Sequence, residues 1–304
     1  EIPNAMAIID GHQRITYADL AQHIGEAANG MLAAGIKPGD RVAIWAPNSA
    51  PWIIATLGAQ AVGAAVVPIN TRYKPSEAAH PLSFTNAKLL IAANGFMGMD
   101  ADAAVALAEA ETGRVVRIVD LNAPDDSEAS WVSFLAAGQH LAESDWQSVL
   151  TQVDGDDICD IMFTSGSTGR PKGVPHRHAV TVRQTLNTVL QNGNVASDRY
   201  LVVNPFFHVF GYTGGWMPAL LVGATVYPYA VFDVDNVLGL IEKEKITYFP
   251  GPPTIFHSIL EHPRLSEFDV TSLRVTLTGA ADVPVELIQR MLDELTFDRV
   301  IQGY

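Results

Sequence analysis

The strongest constraint on this chain is a repeated alternation. Short apolar runs of strand character are separated, again and again, by segments whose apolar residues recur at helical spacing. Arg41 to Trp45, Ala65 to Ile69, Lys88 to Ala92 and Val115 to Val119 read as strands. Between and before them lie helices: one capped by Thr16 with Leu20, Ile24, Ala27, Ala28, Met31 and Leu32 on one face and Gly35 at its end, then Pro51 to Val62, one starting at Pro75, and Ala101 to Ala110. The pattern resumes with a strand at Ile158 to Phe163, a helix at His178 to Gln191, strands at Tyr200 to Val203 and Ala224 to Tyr227, and a helix at Val234 to Glu244. It closes with Tyr248-Phe249, a helix after Pro252-Pro253, a strand at Val275 to Thr278, a helix at Val285 to Leu295 and a strand at Arg299 to Ile301. Such alternation specifies an α/β fold with mainly parallel sheets covered by helices on both faces. The polar loop Asn122 to Ser127 and the acidic, weakly patterned stretch Glu143 to Asp157 place a division near residue 150, giving subdomains 1–150 and 151–304.

Composition narrows the partners. At 304 residues and 48% hydrophobic, the chain can bury a sizeable core, and its net charge of −14 without any Lys/Arg cluster argues against nucleic acid or an anionic membrane. Ala50 to Ile69 carries no charge, but Pro51, Gln60, Gly63 and Pro68 interrupt it, so it reads as a helix and a buried strand and not as a transmembrane segment. The lone cysteine, Cys159, excludes an internal disulfide, fits a reducing cytoplasm and reads as a small core residue. The chain opens on Glu1-Ile2-Pro3 with no basic segment leading into an apolar one.

One stretch carries chemistry. Thr164-Ser165-Gly166-Ser167-Thr168-Gly169-Arg170-Pro171-Lys172-Gly173-Val174 follows the apolar run Ile161-Met162-Phe163, as a polar loop leaving a buried strand. Glycines let backbone N–H groups turn toward an anion, hydroxyls add donors, and Lys172 adds a point charge, which together suit phosphate. A flexible linker would not require the fixed lysine or the flanking strand. The P-loop of nucleotide triphosphatases is excluded by spacing, since Lys172 lies between Pro171 and Gly173.

A second site is marked by Asn204-Pro205-Phe206-Phe207-His208-Val209-Phe210-Gly211-Tyr212, where aromatics surround one imidazole at a strand exit. Read from the residues, His208 is either the polar contact of an apolar pocket or a core histidine bonded to backbone. After the strand Val275 to Thr278, the small residues Gly279, Ala280 and Ala281 let a flat ring approach the backbone, or simply make a tight turn. Asp154, Asp156, Asp157 and Asp160 do not have the spacing of a calcium loop and read as a solvated approach to the next strand. His257 and His262 lack the companions of a zinc site.

The eleven-residue loop resembles the phosphate-binding signature of the adenylate-forming superfamily, which includes acyl-CoA synthetases, luciferases and the adenylation domains of peptide synthetases. Three more segments match in order: Gly39-Asp40-Arg41-Val42 to Pro68-Ile69-Asn70, the aromatic-His segment, and Gly279-Ala280-Ala281 to Gln302-Gly303-Tyr304. The resemblance implies activation of a small-molecule carboxylic acid by ATP to an acyl-adenylate, then transfer to coenzyme A, with Mg2+ accompanying the phosphates. It implies ATP contacts from Thr164, Ser165, Gly166, Ser167, Thr168, Gly169, Lys172, Gly279, Ala280, Ala281, Gln302, Gly303 and Tyr304, with Thr168 toward the metal. It places Phe207, His208, Phe210 and Gly279 at the acyl substrate, and Lys172 and His208 in the catalytic set. Among family members the chain looks closest to bacterial acyl-CoA ligases, including those acting on the propanoate left after steroid-ring degradation. In the family a Gly-x-Thr-Glu follows Gln-Gly-Tyr, and a mobile C-terminal domain carries a further lysine. The chain is therefore expected to be the N-terminal portion of a longer protein, with little turnover alone. An amino-acid-adenylating domain is an alternative, with Asp233 and Asp235 available to an amino group, and so is a non-catalytic nucleotide-binding module. A homodimer is compatible with all three.

Overall fold

A computed structural model describes residues 2–164 and 169–303, and in it the alternation becomes three sheets and their helices. The strands are β1 Met6–Asp10, β2 Gln13–Thr16, β3 Arg41–Trp45, β4 Ala65–Pro68, β5 Leu89–Ala92, β6 Arg117–Asp120, β7 Ile158–Phe163, β8 Gly173–Arg177, β9 Arg199–Val202, β10 Thr225–Pro228, β11 Val275–Gly279 and β12 Arg299–Gly303. The helices are α1 Tyr17–Ala33, α2 Ala50–Ala61, α3 Pro75–Thr85, α4 Ala101–Thr112, α5 Trp131–Ala137, α6 Glu143–Leu150, α7 His178–Asn192, α8 Val209–Gly211, α9 Met217–Val222, α10 Val234–Glu244, α11 Pro253–Leu260 and α12 Val285–Glu294.

Two compact units emerge, residues 18–182 and residues 1–17 with 183–304. In the first, the strand order is β6-β5-β3-β4-β7-β8, parallel throughout except for the β7–β8 hairpin at one edge. Ala43, Trp45, Val67, Leu90 and Ala92 pack against Ala78, Ala79 and Leu82 of α3 and Ala101, Ala104 and Ala108 of α4. The alternate positions Val42, Ile44, Val66, Leu89 and Ile91 are equally buried and point to the other face. Burial on both faces is why these strands are continuous apolar runs and not alternating ones.

The division differs from the one expected near residue 150. Strand β7 pairs with β4 through Val66 and Asp160, so the segment just after residue 150 completes the first sheet. The acidic stretch before it contains α6, with the Asp145 carboxylate accepting from the Ala142 N–H at 2.7 Å.

In the second unit the order is β2-β1-β10-β9, with β1 antiparallel to β2 and the remaining pairs parallel. Strands β11 and β12 form a parallel pair in which Gly279 lies opposite Gly303. The core of this unit gathers Leu201, Tyr227, Val237, Leu238, Ile241, Phe256, Leu287 and Met291 from β9, β10, α10, α11 and α12, with Phe249 from the segment between α10 and α11. Among the described residues, no helix is long and apolar enough to cross a membrane.

Candidate functional site

The predicted site residues fall in both units, and each group has its own geometry. In the first unit the β7–β8 hairpin carries the phosphate-type loop. Its ladder runs from Ile161 opposite Pro175 through Met162 opposite Val174 to Phe163 opposite Gly173, and the Thr164 N–H then donates to the Lys172 carbonyl at 3.0 Å. Pro175 offers no N–H to a ladder and is tolerated because β8 is an edge strand. A T-shaped contact between Phe84 and Phe163, at 5.8 Å between centroids, packs beside the hairpin. His80 also reaches the loop, with Nε2 3.0 Å from the Pro171 carbonyl. Gly169 has φ +147°, a conformation that side chains disfavour. Lys172 is exposed and has no carboxylate partner among the described residues. Its charge is therefore available to an anion. The expected contacts Ser165, Gly166, Ser167 and Thr168 lie outside the described residues, as does Tyr304.

Cys159 is buried, as expected of a core residue, and burial beside Asp160 pushes its thiol up to about 12, so it is not a nucleophile at neutral pH. Asp160 corrects an expectation. It was grouped with the solvated approach to β7, yet it is 1% exposed and its Oδ1 lies 2.5 Å from His176 Nδ1.

In the second unit a cavity of about 290 Å³ is lined by Gln184, Thr188, Gln191 and Asn192 of α7, by His208, Val209, Phe210, Thr213 and Gly214, and by Leu277 to Ala280 with Gly303. Of the predicted residues, His208, Phe210, Gly279, Ala280 and Gly303 therefore share one cavity. Phe207, Ala281 and Gln302 do not line it. Phe207 is half-buried, and Ala281 and Gln302 are exposed.

His208 is placed by the turn at its own position. Its N–H donates to the Pro205 carbonyl at 3.0 Å, and its Nδ1 accepts from the Phe210 N–H at 3.2 Å, capping α8. An imidazole that accepts at Nδ1 carries its proton on Nε2. Partial desolvation at the cavity rim lowers its pKa below the ordinary histidine value, although solvent still reaches the ring. His208 is thus a neutral donor at pH 7, suited to the oxygen of a carboxylate or carbonyl. Immediately after α8 the chain makes a π-helical turn, Tyr212–Trp216. Gly211 is required there, because a Cβ would lie 2.3 Å from the Pro205 carbonyl oxygen.

The opposite wall depends on the absence of side chains. A Cβ on Gly279 would lie 1.9 Å from the Gly303 carbonyl oxygen, so β11 and β12 could not pair at this register with any other residue. Ala280 follows in the left-handed region at φ +64°, a conformation that costs a non-glycine residue about 1 kcal/mol. Strain of this kind concentrates where backbone must present a defined surface to a ligand. Thr278, fully buried on β11 just before Gly279, has a hydroxyl with no hydrogen-bond partner among the described residues.

Sequence reasoning missed the α7 wall. Gln184, Thr188 and Gln191 lie at i, i+4 and i+7, one uncharged polar face, and that spacing was visible without saying which way the face pointed. Asp233 and Asp235 take other roles. Asp233 accepts from the Asn236 N–H at 3.0 Å as the cap of α10, and Asp235 pairs with Arg264 and lies 3.4 Å from His262. No three of His, Cys, Asp and Glu gather as a metal-binding cluster among the described residues.

A family model described as AMP-binding enzyme matches residues 1–304. The chain belongs to the AMP-binding enzyme family. It is 41% identical, over its whole length and 60% of the relative's, to a 3-[(3aS,4S,7aS)-7a-methyl-1,5-dioxo-octahydro-1H-inden-4-yl]propanoyl:CoA ligase of Rhodococcus jostii (strain RHA1). It is 35% identical, over 99% of its length and 56% of the relative's, to a feruloyl-CoA synthase of an Amycolatopsis species. The chain thus spans about three-fifths of the length of the curated relatives it matches. Among solved structures, the inhibitor-bound N-terminal domain of FACL13 from Mycobacterium tuberculosis superposes with a TM-score of 0.80 at 27% identity, covering all of this chain and 72% of that one.

Proposed function

We propose that this chain supplies the nucleotide and acid sites of an AMP-forming acyl-CoA ligase. Its relatives of highest identity above are named as CoA ligases and synthases, and the observation that carries the reading is the cavity that joins His208 and Phe210 to the side-chain-free edge at Gly279 and Gly303. A carboxylate oxygen of the acid attacks the α-phosphate of ATP. The bond from that phosphorus to the bridging oxygen of the pyrophosphate breaks, giving an acyl-adenylate. The thiol of coenzyme A then attacks the acyl carbonyl, loses its proton, and expels AMP. A free carboxylate is a poor acyl donor, so the chemistry depends on this exchange of leaving group, and the protein's work is alignment and charge neutralisation.

In this reading Lys172 and the amides and hydroxyls of Thr164 to Gly169 hold the polyphosphate, with Thr168 near the magnesium that accompanies it. Ala281, Gln302 and Tyr304 stand with Gly279, Ala280 and Gly303 on the nucleotide. His208 donates Nε2–H to the carboxylate, and Phe207 and Phe210 contribute apolar wall to the acyl group. The uncharged polar face of α7 favours a ring-bearing acid with carbonyl or hydroxyl oxygens over a plain alkanoate, a choice in keeping with the names of the relatives. An amino-acid substrate is disfavoured, because Asp233 and Asp235 are engaged as a helix cap and an ion pair. A cytoplasmic setting suits the substrates ATP and coenzyme A.

The test is coenzyme-A consumption by the intact gene product over a panel of keto-ring propanoates, cinnamates and straight-chain fatty acids. Turnover that depends on ATP and an acid, with keto-ring or cinnamate acids ahead, is expected. Exchange of pyrophosphate into ATP stimulated by amino acids alone would overturn the reading.

A further inference from the structure

Asp160 and His176 stand directly opposite one another on β7 and β8, joined at 2.5 Å, and the Asp160 carboxylate also accepts from the Cys159 thiol at 3.1 Å. The rest of β8 gives its pairing register little definition. Val174, Pro175 and Arg177 are exposed, Pro175 cannot donate to the ladder, and the pairing is irregular between Ile158 and Asp160. Register is fixed where a face is buried and is prone to slip where it is not. On β7 Cys159, Asp160 and Met162 are buried, but the one of them whose side chain bonds a side chain of β8 is the Asp160 carboxylate. Taken out of water, it must keep its partner, and a slip of β8 that leaves it unpaired is penalised on the order of a hundredfold or more in population. The same slip would turn every side chain of the strand to the other face, and Lys172, whose carbonyl is held by the Thr164 N–H, is coupled to that pleat.

We infer that Asp160 and His176 are a positioning pair, a lock on the register of the hairpin that fixes where Lys172 meets the nucleotide's polyphosphate. The role rests on the reading of Lys172 as a phosphate contact, and the two ideas separate in the test. Asp160 is buried on β7 and His176 half-buried on the edge strand β8, away from Lys172 at the loop end of the hairpin.

The test is calorimetric titration of this chain with ATP, beside amide hydrogen exchange over residues 173–177, for the unsubstituted protein, Lys172→Ala, Asp160→Asn, His176→Leu and the exchanged pair Asp160→His with His176→Asp. Expected are about tenfold weaker ATP binding and faster exchange for each single substitution of the pair, with both restored in the exchanged pair. The affinity for the acid stays within twofold in all of them. Weaker binding in Lys172→Ala with unaltered ATP affinity in Asp160→Asn and His176→Leu would overturn the lock and leave the phosphate reading standing. Unaltered affinity in Lys172→Ala would remove the phosphate reading and the positioning role with it, whatever the exchange shows. Where the exchanged pair does not fold by circular dichroism, the single substitutions decide.

Discussion

Replacing Gly279 by Ala is the sharpest perturbation available at the cavity. The added Cβ would sit 1.9 Å from the Gly303 carbonyl oxygen and 2.9 Å from its carbon, and both are backbone atoms that cannot rotate away. Restoring ordinary contact requires β12 to retreat by about 1.5 Å, enough to break the end of its ladder with β11. Overpacking of this kind costs about 1–3 kcal/mol, and one or two lost hydrogen bonds add about 1 kcal/mol each. For a unit of this size the total corresponds to a fall in Tm of about 5–15 °C. Because Gly279 and Gly303 both line the cavity, displacing the strand also distorts that wall, and AMP binding should weaken in the same protein. Gly239 is the control: it lies inside α10 with nothing within 4 Å of an added Cβ, and Gly239→Ala should raise Tm slightly. Thermal unfolding and calorimetric titration with AMP read both effects. An unchanged Tm and AMP affinity in Gly279→Ala would refute the idea that backbone contact forms this wall.

Three further outcomes are expected. His208→Ala should weaken acid binding by about tenfold while ATP binding changes little, since it removes one hydrogen bond to a charged oxygen, and the reverse pattern in paired titrations would remove His208 from the acid. Lys172→Ala should slow pyrophosphate exchange in the intact gene product by about tenfold to a hundredfold through lost phosphate charge, and an unaltered exchange rate would count against its role. His176 is held above the ordinary histidine pKa of 6.5 by its hydrogen bond to Asp160, so its stabilisation is complete below that value and is lost as pH rises through the raised one. The Tm difference between the unsubstituted protein and His176→Leu should therefore be larger near about pH 6 than near about pH 9, and a difference that grows with pH would contradict the pairing.

The alternation of strands and helices was legible because each period is local. Arg41–Trp45 and Val234–Glu244 begin and end where their apolar spacing places them. Pairing is not local, and that is where the expectations failed. Nothing within Ile158 to Phe163 says that it joins β4, so the division between units was expected near residue 150 and lies near 182. The opening hairpin of β1 and β2 escaped notice for the same reason, since β1 is stabilised by a parallel partner, β10, more than two hundred residues away. At the site, His208, Phe210 and Gly279 are named through the resemblance of their motifs to the family's, since the residues by themselves leave a core histidine and a tight turn equally open, and the structure sets the three around one cavity. The inward face of α7 and the burial of Asp160 could not be read in the sequence, because a glutamine or an aspartate reads as solvated until its neighbours in space are known.

The measurement that bears hardest on the phosphate reading is a crystal of this chain soaked with a non-hydrolysable ATP analogue. Polyphosphate oxygens within hydrogen-bonding distance of Lys172 Nζ and of the amides between Thr164 and Gly169 are expected. A well-ordered nucleotide whose phosphates avoid Lys172 and that loop would contradict it.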